Sequence, residues 1–285
     1  MSTNLPSDQK IIVALEKSGF LFEQEVATAI EANGFHVETS WAYLDADQEK
    51  SREIDIRAIK NVLNDEQRGL QVFVELLVEC KDTDAPLVFL ERLKNKRELE
   101  VPQPGEYVFP RRAYRQPIDA KSYREVPAFL HLELAGAHYY FRDPRKATQF
   151  SKIVRKGSEW VANHDGIYDS LFLPLAKALE ARKKAVQTHS QQGKGRTVWL
   201  FFPVVVLRDH LMTLDASDPK RELKRQGRVT FVRNLDSGTL KGDYLLDFVT
   251  YGHLQAYITD EVLRFAESVT SIGRSKPSLL RGDDA

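Results

Sequence analysis

Apolar positions recur at helical spacing near the start of the chain and at strand spacing just after it. Leu21, Phe22, Val26, Ala29 and Ile30 share one face of a helix over 11–33, and Asn33-Gly34 supplies its C-terminal stop. Phe35, Val37, Thr39, Trp41 and Tyr43 then alternate along a strand at 35–43. A polar connection at 45–51 leads to a second strand at 53–59, and a turn-rich stretch at 61–69 leads to a third at 71–81. In that third strand Val72, Val74, Leu76, Val78 and Cys80 lie on one side, while Phe73 and Leu77 put apolar groups on the other. Apolar residues on both faces describe a central strand covered by layers above and below.

Beyond residue 81 the pattern loosens. Pro102, Pro104, Pro110, Pro117 and Pro127 mark a Pro-rich insertion at about 97–127, read as a long irregular excursion over the core. A strand or two is expected within 129–141, then helices at 144–163 and 166–187, separated by His164-Asp165-Gly166. A Gln/Gly/Lys loop at 188–195 precedes a strongly apolar strand at 198–207, which Arg208-Asp209-His210 turns into a partner strand at 211–214. A charged segment at 219–228, strands at 229–235 and 244–250, and a helix at 253–270 complete one domain over 1–273. The polar tail 274–285 is expected to be disordered. The fold class is therefore α/β, with helices flanking a mixed sheet.

Composition narrows the partners more than the fold. The chain of 285 residues carries 41 basic and 41 acidic side chains, for a net charge of zero, which disfavours a protein that coats nucleic acid non-specifically. A local basic groove still suffices for phosphate contacts. Cys80 is the one cysteine, so neither an internal disulfide nor a thiolate zinc cluster can form. With a polar N-terminus and no apolar run of membrane-spanning length, a cytoplasmic protein without membrane contact is expected.

Candidate chemistry sits at the end of the third strand. Glu79 and Lys81 share a face there, and burying a carboxylate and an ammonium is costly unless they pair or bind something. Asp55 lies in Glu53-Ile54-Asp55-Ile56, with isoleucines directed to the opposite face; antiparallel pairing of the second and third strands would bring it to Glu79. Two hard carboxylates with open positions suit Mg²⁺, with Mn²⁺ as a substitute, and Lys81 would orient water or stabilise developing charge. On the first helix Glu23 falls within the arc of Phe22, Val26 and Ile30, whereas Glu25 and Glu31 fall outside it.

Phe22-Glu23-x-x-Val26, Gly34-Phe35-x-Val37, Glu53-Ile54-Asp55-Ile56 and Glu79-Cys80-Lys81 together resemble the PD-(D/E)XK superfamily of restriction-endonuclease-like nucleases, especially its Mrr-like members. The resemblance implies an αβββαβ core. It also implies that Asp55, Glu79 and Glu23 hold the divalent metal and that Lys81 assists attack of water on a phosphodiester. The match covers 11–81, continues more loosely through the helices and strand at 144–207, and departs at Ile54, where the family name has proline.

The expected function is a metal-dependent, endonuclease-type hydrolase acting on nucleic acid, DNA before RNA, in restriction, defence or repair. A catalytically silent nucleic-acid- or protein-binding module on the same fold, or an RNA-directed nuclease, would use the same scaffold. The intact quartet counts against the silent module. No separate recognition module is visible, so a recruiting partner or a homodimer is expected. Secondary candidates for nucleic-acid contact are Arg111, Arg112 and Arg115, with Tyr114, Tyr123 and Arg124 beside them, then Gln149 and Lys152 on the helix after the meander. Lys220, Arg221, Lys224, Arg225 and Arg228 form a further basic cluster. His164-Asp165 reads as helix capping, and Trp41, Trp160 and Trp199 as core.

Overall fold

Gly19 breaks the expected N-terminal helix in two. Its φ of 84° is a left-handed conformation that glycine adopts without steric cost, so it ends α1 (Asp8–Ser18) and precedes α2 (Phe20–Glu31). α2 buries Phe22, Val26, Ala27 and Ile30, and α1 buries nothing. The structure, a computed structural model, describes residues 5–100, 104–119, 121–164, 166–192 and 196–281. β1 (His36–Asp45), β2 (Lys50–Asp65) and β3 (Leu70–Lys81) follow as an antiparallel meander.

The stretch after β3 is more regular than its prolines suggest. It contains β4 (Leu87–Leu93), α3 (Lys96–Glu100), β5 (Tyr107–Val108) and a separate two-stranded ribbon of β6 (Ala113–Pro117) and β7 (Tyr123–Pro127). Residues 129–141, expected as strand, are helical instead. They form α4 (Ala128–His131), a 3-10 turn at Leu134–Gly136 and α5 (Tyr139–Arg142).

The first of the two expected helices after the insertion is a hairpin of β8 (Arg145–Lys156) and β9 (Glu159–Asn163). Ala147, Phe150, Ile153 and Val154 fall at spacings that mimic a helical stripe. In the fold β8 instead makes ladder bonds to β4 and β9, and tertiary pairing overrides local pattern. The second helix is present as α6 (Leu173–Gln192), entered through a π-helical turn at Tyr168–Phe172. It takes in residues 188–192 of the expected loop, whose remainder, 193–195, lies outside the described residues.

The chain closes with β10 (Arg196–Leu207), β11 (Leu211–Asp215), β12 (Leu223–Arg225), β13 (Arg228–Ser237) and β14 (Leu240–Thr250). Then come α7 (Tyr251–Ala256), a π-helical stretch at Tyr257–Leu263, α8 (Arg264–Ser275) and α9 (Pro277–Arg281). α9 occupies part of the tail expected to be disordered, because Leu280 is buried. Residues 282–285 lie outside the described residues.

One mixed sheet organises these elements in the order β1-β2-β3-β10-β14-β13-β8-β4-β11-β12. β10 runs parallel to β3 in unbroken register from Arg196 beside Leu70 to Leu207 beside Lys81. β11 does not pair with β10 as its short connection suggested; it runs parallel to β4 and carries β12 on its other edge. Val74, Val78, Val204 and Val206 pack under α2 and α8, while Leu77, Phe201 and Val205 pack under α6. The fold is thus α/β, a large mixed sheet with helices on both faces.

His138 lies deep in the layer under α8, ringed by Phe129, Phe141 and Phe265. Its Nδ1 accepts the Tyr140 backbone N–H at 3.2 Å, which leaves the Nε2 proton for the Tyr107 hydroxyl at 2.5 Å. Burial, reinforced by the charges of Arg228, Lys94 and Arg142, holds its pKa well below the usual imidazole value. The sign follows from linkage: below about pH 6.5 the unfolded chain binds a proton that the native ring refuses, so stability falls as pH falls.

Glu106 and Glu79, both buried and pushed up to about 7, act in the opposite sense, so the wild-type curve alone would blend these effects. His138→Asn keeps an acceptor for the Tyr140 N–H but cannot titrate. Urea unfolding at a series of pH values should show wild type losing about 1 kcal/mol more than this variant for each unit below pH 6. Parallel curves would show that the ring is not the titrating group.

Candidate active site

The chain turns its faces over at Asp55. On β1, Val37 packs in the α2 layer but Trp41 and Tyr43 pack in the α6 layer; on β2, Ile56 belongs to the α2 layer and Ile54 to the α6 layer. The β1–β2 ladder passes from Thr39–Ile56 to Trp41–Ile54 and skips the pair between them, Ser40 and Asp55. Ser40 has a φ of 50°, and one left-handed residue in a strand reverses which side its neighbours face. The two isoleucines beside Asp55 therefore do not share a face, contrary to the simple alternation. β2 also leaves β3 here: their pairing ends at Ile56–Val78, and the Asp55 carboxylate takes the next ladder position, accepting the Cys80 N–H at 2.6 Å.

Glu79 and Lys81 lie beside that gap. Lys81 Nζ is 3.1 Å from Glu79 Oε2, with Glu79 buried and Lys81 about one-third exposed. Burial first, then the Asp55 charge, pushes Glu79 up to about 7, against the pull of Lys81. Asp55 is raised by burial, opposed by the Cys80 amide and by Lys81. Desolvation alone would lower Lys81, but the carboxylates of Glu79 and Asp55 outweigh it and hold the ammonium above its usual value.

Glu23, in the first turn of α2, is raised by burial and by Asp55 and lowered by Lys81, so it belongs to the same electrostatic group. Three acids sharing one cation is an arrangement short of positive charge. Among the described residues, no set of three His, Cys, Asp or Glu side chains is grouped tightly enough to hold a metal ion. The hard-oxygen donors nearest such a role are Asp55 and Glu79, and the three-carboxylate set with Glu23 is not closed.

Arg208, which sequence patterning assigned only to a turn, ties the site together. Its backbone N–H donates to the Lys81 carbonyl at 3.2 Å. Its guanidinium reaches Glu25 at 2.6 Å and Asp82 at 3.1 Å and lies 4.2 Å over the Phe22 ring. It thus clasps the residues next to Glu23 to those next to Lys81. Glu25 is exposed and used in this clasp, consistent with its position off the apolar stripe. No local signal distinguishes Arg208 from any other turn arginine.

The secondary candidates scatter. Gln149 and Lys152 lie on β8, not on a helix; Gln149 lines a cleft of about 400 Å³ with Phe150, Tyr168 and Arg233 that includes none of the quartet. Arg111 and Arg112 lead into the β6–β7 ribbon and Arg115 lies within it. Arg112 bonds Gln187 near the C-terminal end of α6, and Arg115 covers the Tyr123 ring. The quartet lies at the other end of that helix, where the Tyr43 hydroxyl, close enough to feel the Glu79 charge, donates to the Pro174 carbonyl.

Trp160 is 68% exposed and is not core, while Trp41 and Trp199 are half-buried beneath Arg182. Cys80 is buried and its thiol pushed up by that burial, consistent with a packing role. Asp165 lies outside the described residues, and with it the expected capping pair. No family model, no curated protein and no solved structure matches the chain.

Proposed function

We propose that the chain is a metal-dependent nuclease that hydrolyses phosphodiester bonds, most favourably in DNA, on a restriction-endonuclease-like core formed by α2, β1–β3, α6 and β10. The observation that carries this reading is the Asp55 carboxylate inserted where β2 leaves β3, beside the buried Glu79–Lys81 pair. Among the described residues, Lys81 is the cation that acts on all three of Glu23, Asp55 and Glu79, and a hard divalent cation would balance the remaining negative charge. Asp55 and Glu79 would hold Mg²⁺ or Mn²⁺, leaving its remaining positions for water and a substrate phosphate, and Glu23 would add charge from the helix. Bound there, such an ion supplies acidification of water and neutralisation of phosphate charge.

The protein's own groups do the rest. Lys81, kept charged by its two carboxylate neighbours, hydrogen-bonds the attacking water or a phosphate oxygen and stabilises the charge that develops during in-line displacement. Glu79 holds Lys81 in place, and the Cys80 amide fixes the carboxylate of Asp55. Arg208 keeps α2 in register with the end of β3. The expected result is Mg²⁺-supported cutting in a panel of supercoiled plasmid, linear duplex, single-stranded DNA and RNA. No cutting of any of them, with no Mn²⁺ binding by calorimetry, would sink the reading.

A further inference from the structure

We infer that the edge hairpin of β11 and β12 is a phosphate-binding rail for the nucleic-acid backbone on one flank of the quartet. The inference deepens the nuclease reading and rests on it for the identity of the polyanion. Sequence alone places Lys220, Arg221, Lys224 and Arg225 in a charged segment well over a hundred residues from Lys81. The fold brings that segment back through a short chain of backbone bonds.

Arg208 donates to the Lys81 carbonyl at 3.2 Å, and β11 starts three residues later. Gln226 then donates to the Leu211 carbonyl at 2.9 Å, which sets Arg225 opposite Met212 and Lys224 opposite Thr213. The hairpin therefore leaves directly from the end of β10 that lies beside Lys81. β12 is the last strand in the sheet order, and all four basic side chains are exposed.

The pairing pattern sets these four cations apart from the other cations of the cleft behind the edge, which Lys224 also lines. In that cleft, of about 290 Å³, Arg145 pairs with Asp215, and Arg228 lies near Asp247 and Glu261. Lys146, which also lines it, pairs with Glu98. Among the described residues, Lys220, Arg221, Lys224 and Arg225 make no ion pair with a carboxylate, and the turn acids Asp215 and Asp218 instead cap backbone N–H groups. Exposed cations without a carboxylate partner, two in the turn and two on the opposite faces of β12, line one sheet edge beside the quartet and provide the charge that counterion release rewards. Lysines on an edge strand also serve to discourage sheet-to-sheet association, and that role predicts no effect on nucleic-acid binding.

The test compares wild type with the quadruple variant Lys220→Ala, Arg221→Ala, Lys224→Ala, Arg225→Ala. Binding to a fluorescein-labelled DNA duplex several helical turns long is followed by anisotropy without divalent metal, across a salt series. Each lost phosphate contact lowers the slope of log K against log salt by about 0.9, so the variant should lose about 3–4 in slope. The charge-conserving double variant Lys224→Arg, Arg225→Lys should keep the wild-type slope, because a rail reads charge and not base edges.

An unchanged slope in a variant with wild-type circular dichroism overturns the rail, as does failure of wild type to bind the duplex at all. Cleavage with Mg²⁺ is scored separately. If wild type binds with the expected slope loss in the variant but cuts nothing, the rail stands and the nuclease reading falls. If wild type cuts and the slopes coincide, the rail falls alone.

Discussion

Asp55→Asn should abolish Mg²⁺-dependent cleavage, lowering the rate by about three orders of magnitude, while the protein stays folded. Asparagine is the sharper substitution because its carbonyl oxygen can still accept the Cys80 N–H that Asp55 accepts at 2.6 Å. Alanine would leave that donor unpaired and add a stability loss of about 1–3 kcal/mol, confusing the readout. Removing the charge also relieves the repulsion that raises Glu79, so no destabilisation from electrostatics is expected. Lys81→Ala should cost a comparable factor, for a different reason: under the nuclease reading it removes the cation that would meet the developing charge on phosphate. Initial rates of plasmid nicking, with thermal melts of the same samples, measure both. Wild-type rates in either variant would mean that the quartet is not the active site.

The second large effect concerns stability, and it falls on a residue that a sequence reading would not separate from Glu79. Glu75 lies on the same side of β3, fully buried. Its Oε1 accepts from Arg57 Nε at 2.8 Å and from Arg182 Nε at 2.6 Å, and its Oε2 accepts from the second nitrogen of Arg182 at 2.9 Å. Both arginine side chains are about nine-tenths enclosed, at 13% and 14% exposure. Glu75→Ala would leave Arg182 against the faces of Trp41 and Trp199 with no carboxylate, and Arg57 with only the half-exposed Glu38.

Breaking a buried pair by removing one partner typically costs about 3–5 kcal/mol, and that loss is expected in urea unfolding. Glu79→Gln should show the reverse profile, with little or no loss of stability and full loss of cleavage. A loss below about 1 kcal/mol for Glu75→Ala would reduce the Arg57–Glu75–Arg182 cluster to the standing of a surface ion pair.

How much of this was legible beforehand depends on whether a signal is local. Leu70–Lys81 and Arg196–Leu207 are apolar on both faces, and such runs declare central strands without reference to anything else. α2 and α6 have stripes that a neighbouring layer must cover. Arg145–Lys156 misled because it is partly exposed on both sides, so nothing in its own residues weighed ladder bonds to β4 and β9 against a helical stripe. The partner of β11 was equally illegible, since β4 lies more than a hundred residues away.

The same division runs through the site. Glu23, Asp55, Glu79 and Lys81 could be chosen from residue type, spacing and motif, because charged side chains on apolar elements are conspicuous in one dimension. What those charges do was decided in three. The left-handed Ser40 and the parting of β2 from β3 aim Asp55 at Cys80 and place it beside Glu79. Two arginines opposite Glu75 make it structural, whereas among the described residues Glu79 has Lys81 as its ion-pair partner. Periodicity is carried by each segment alone, whereas the balance of charge around a buried group depends on whichever distant elements the fold packs against it.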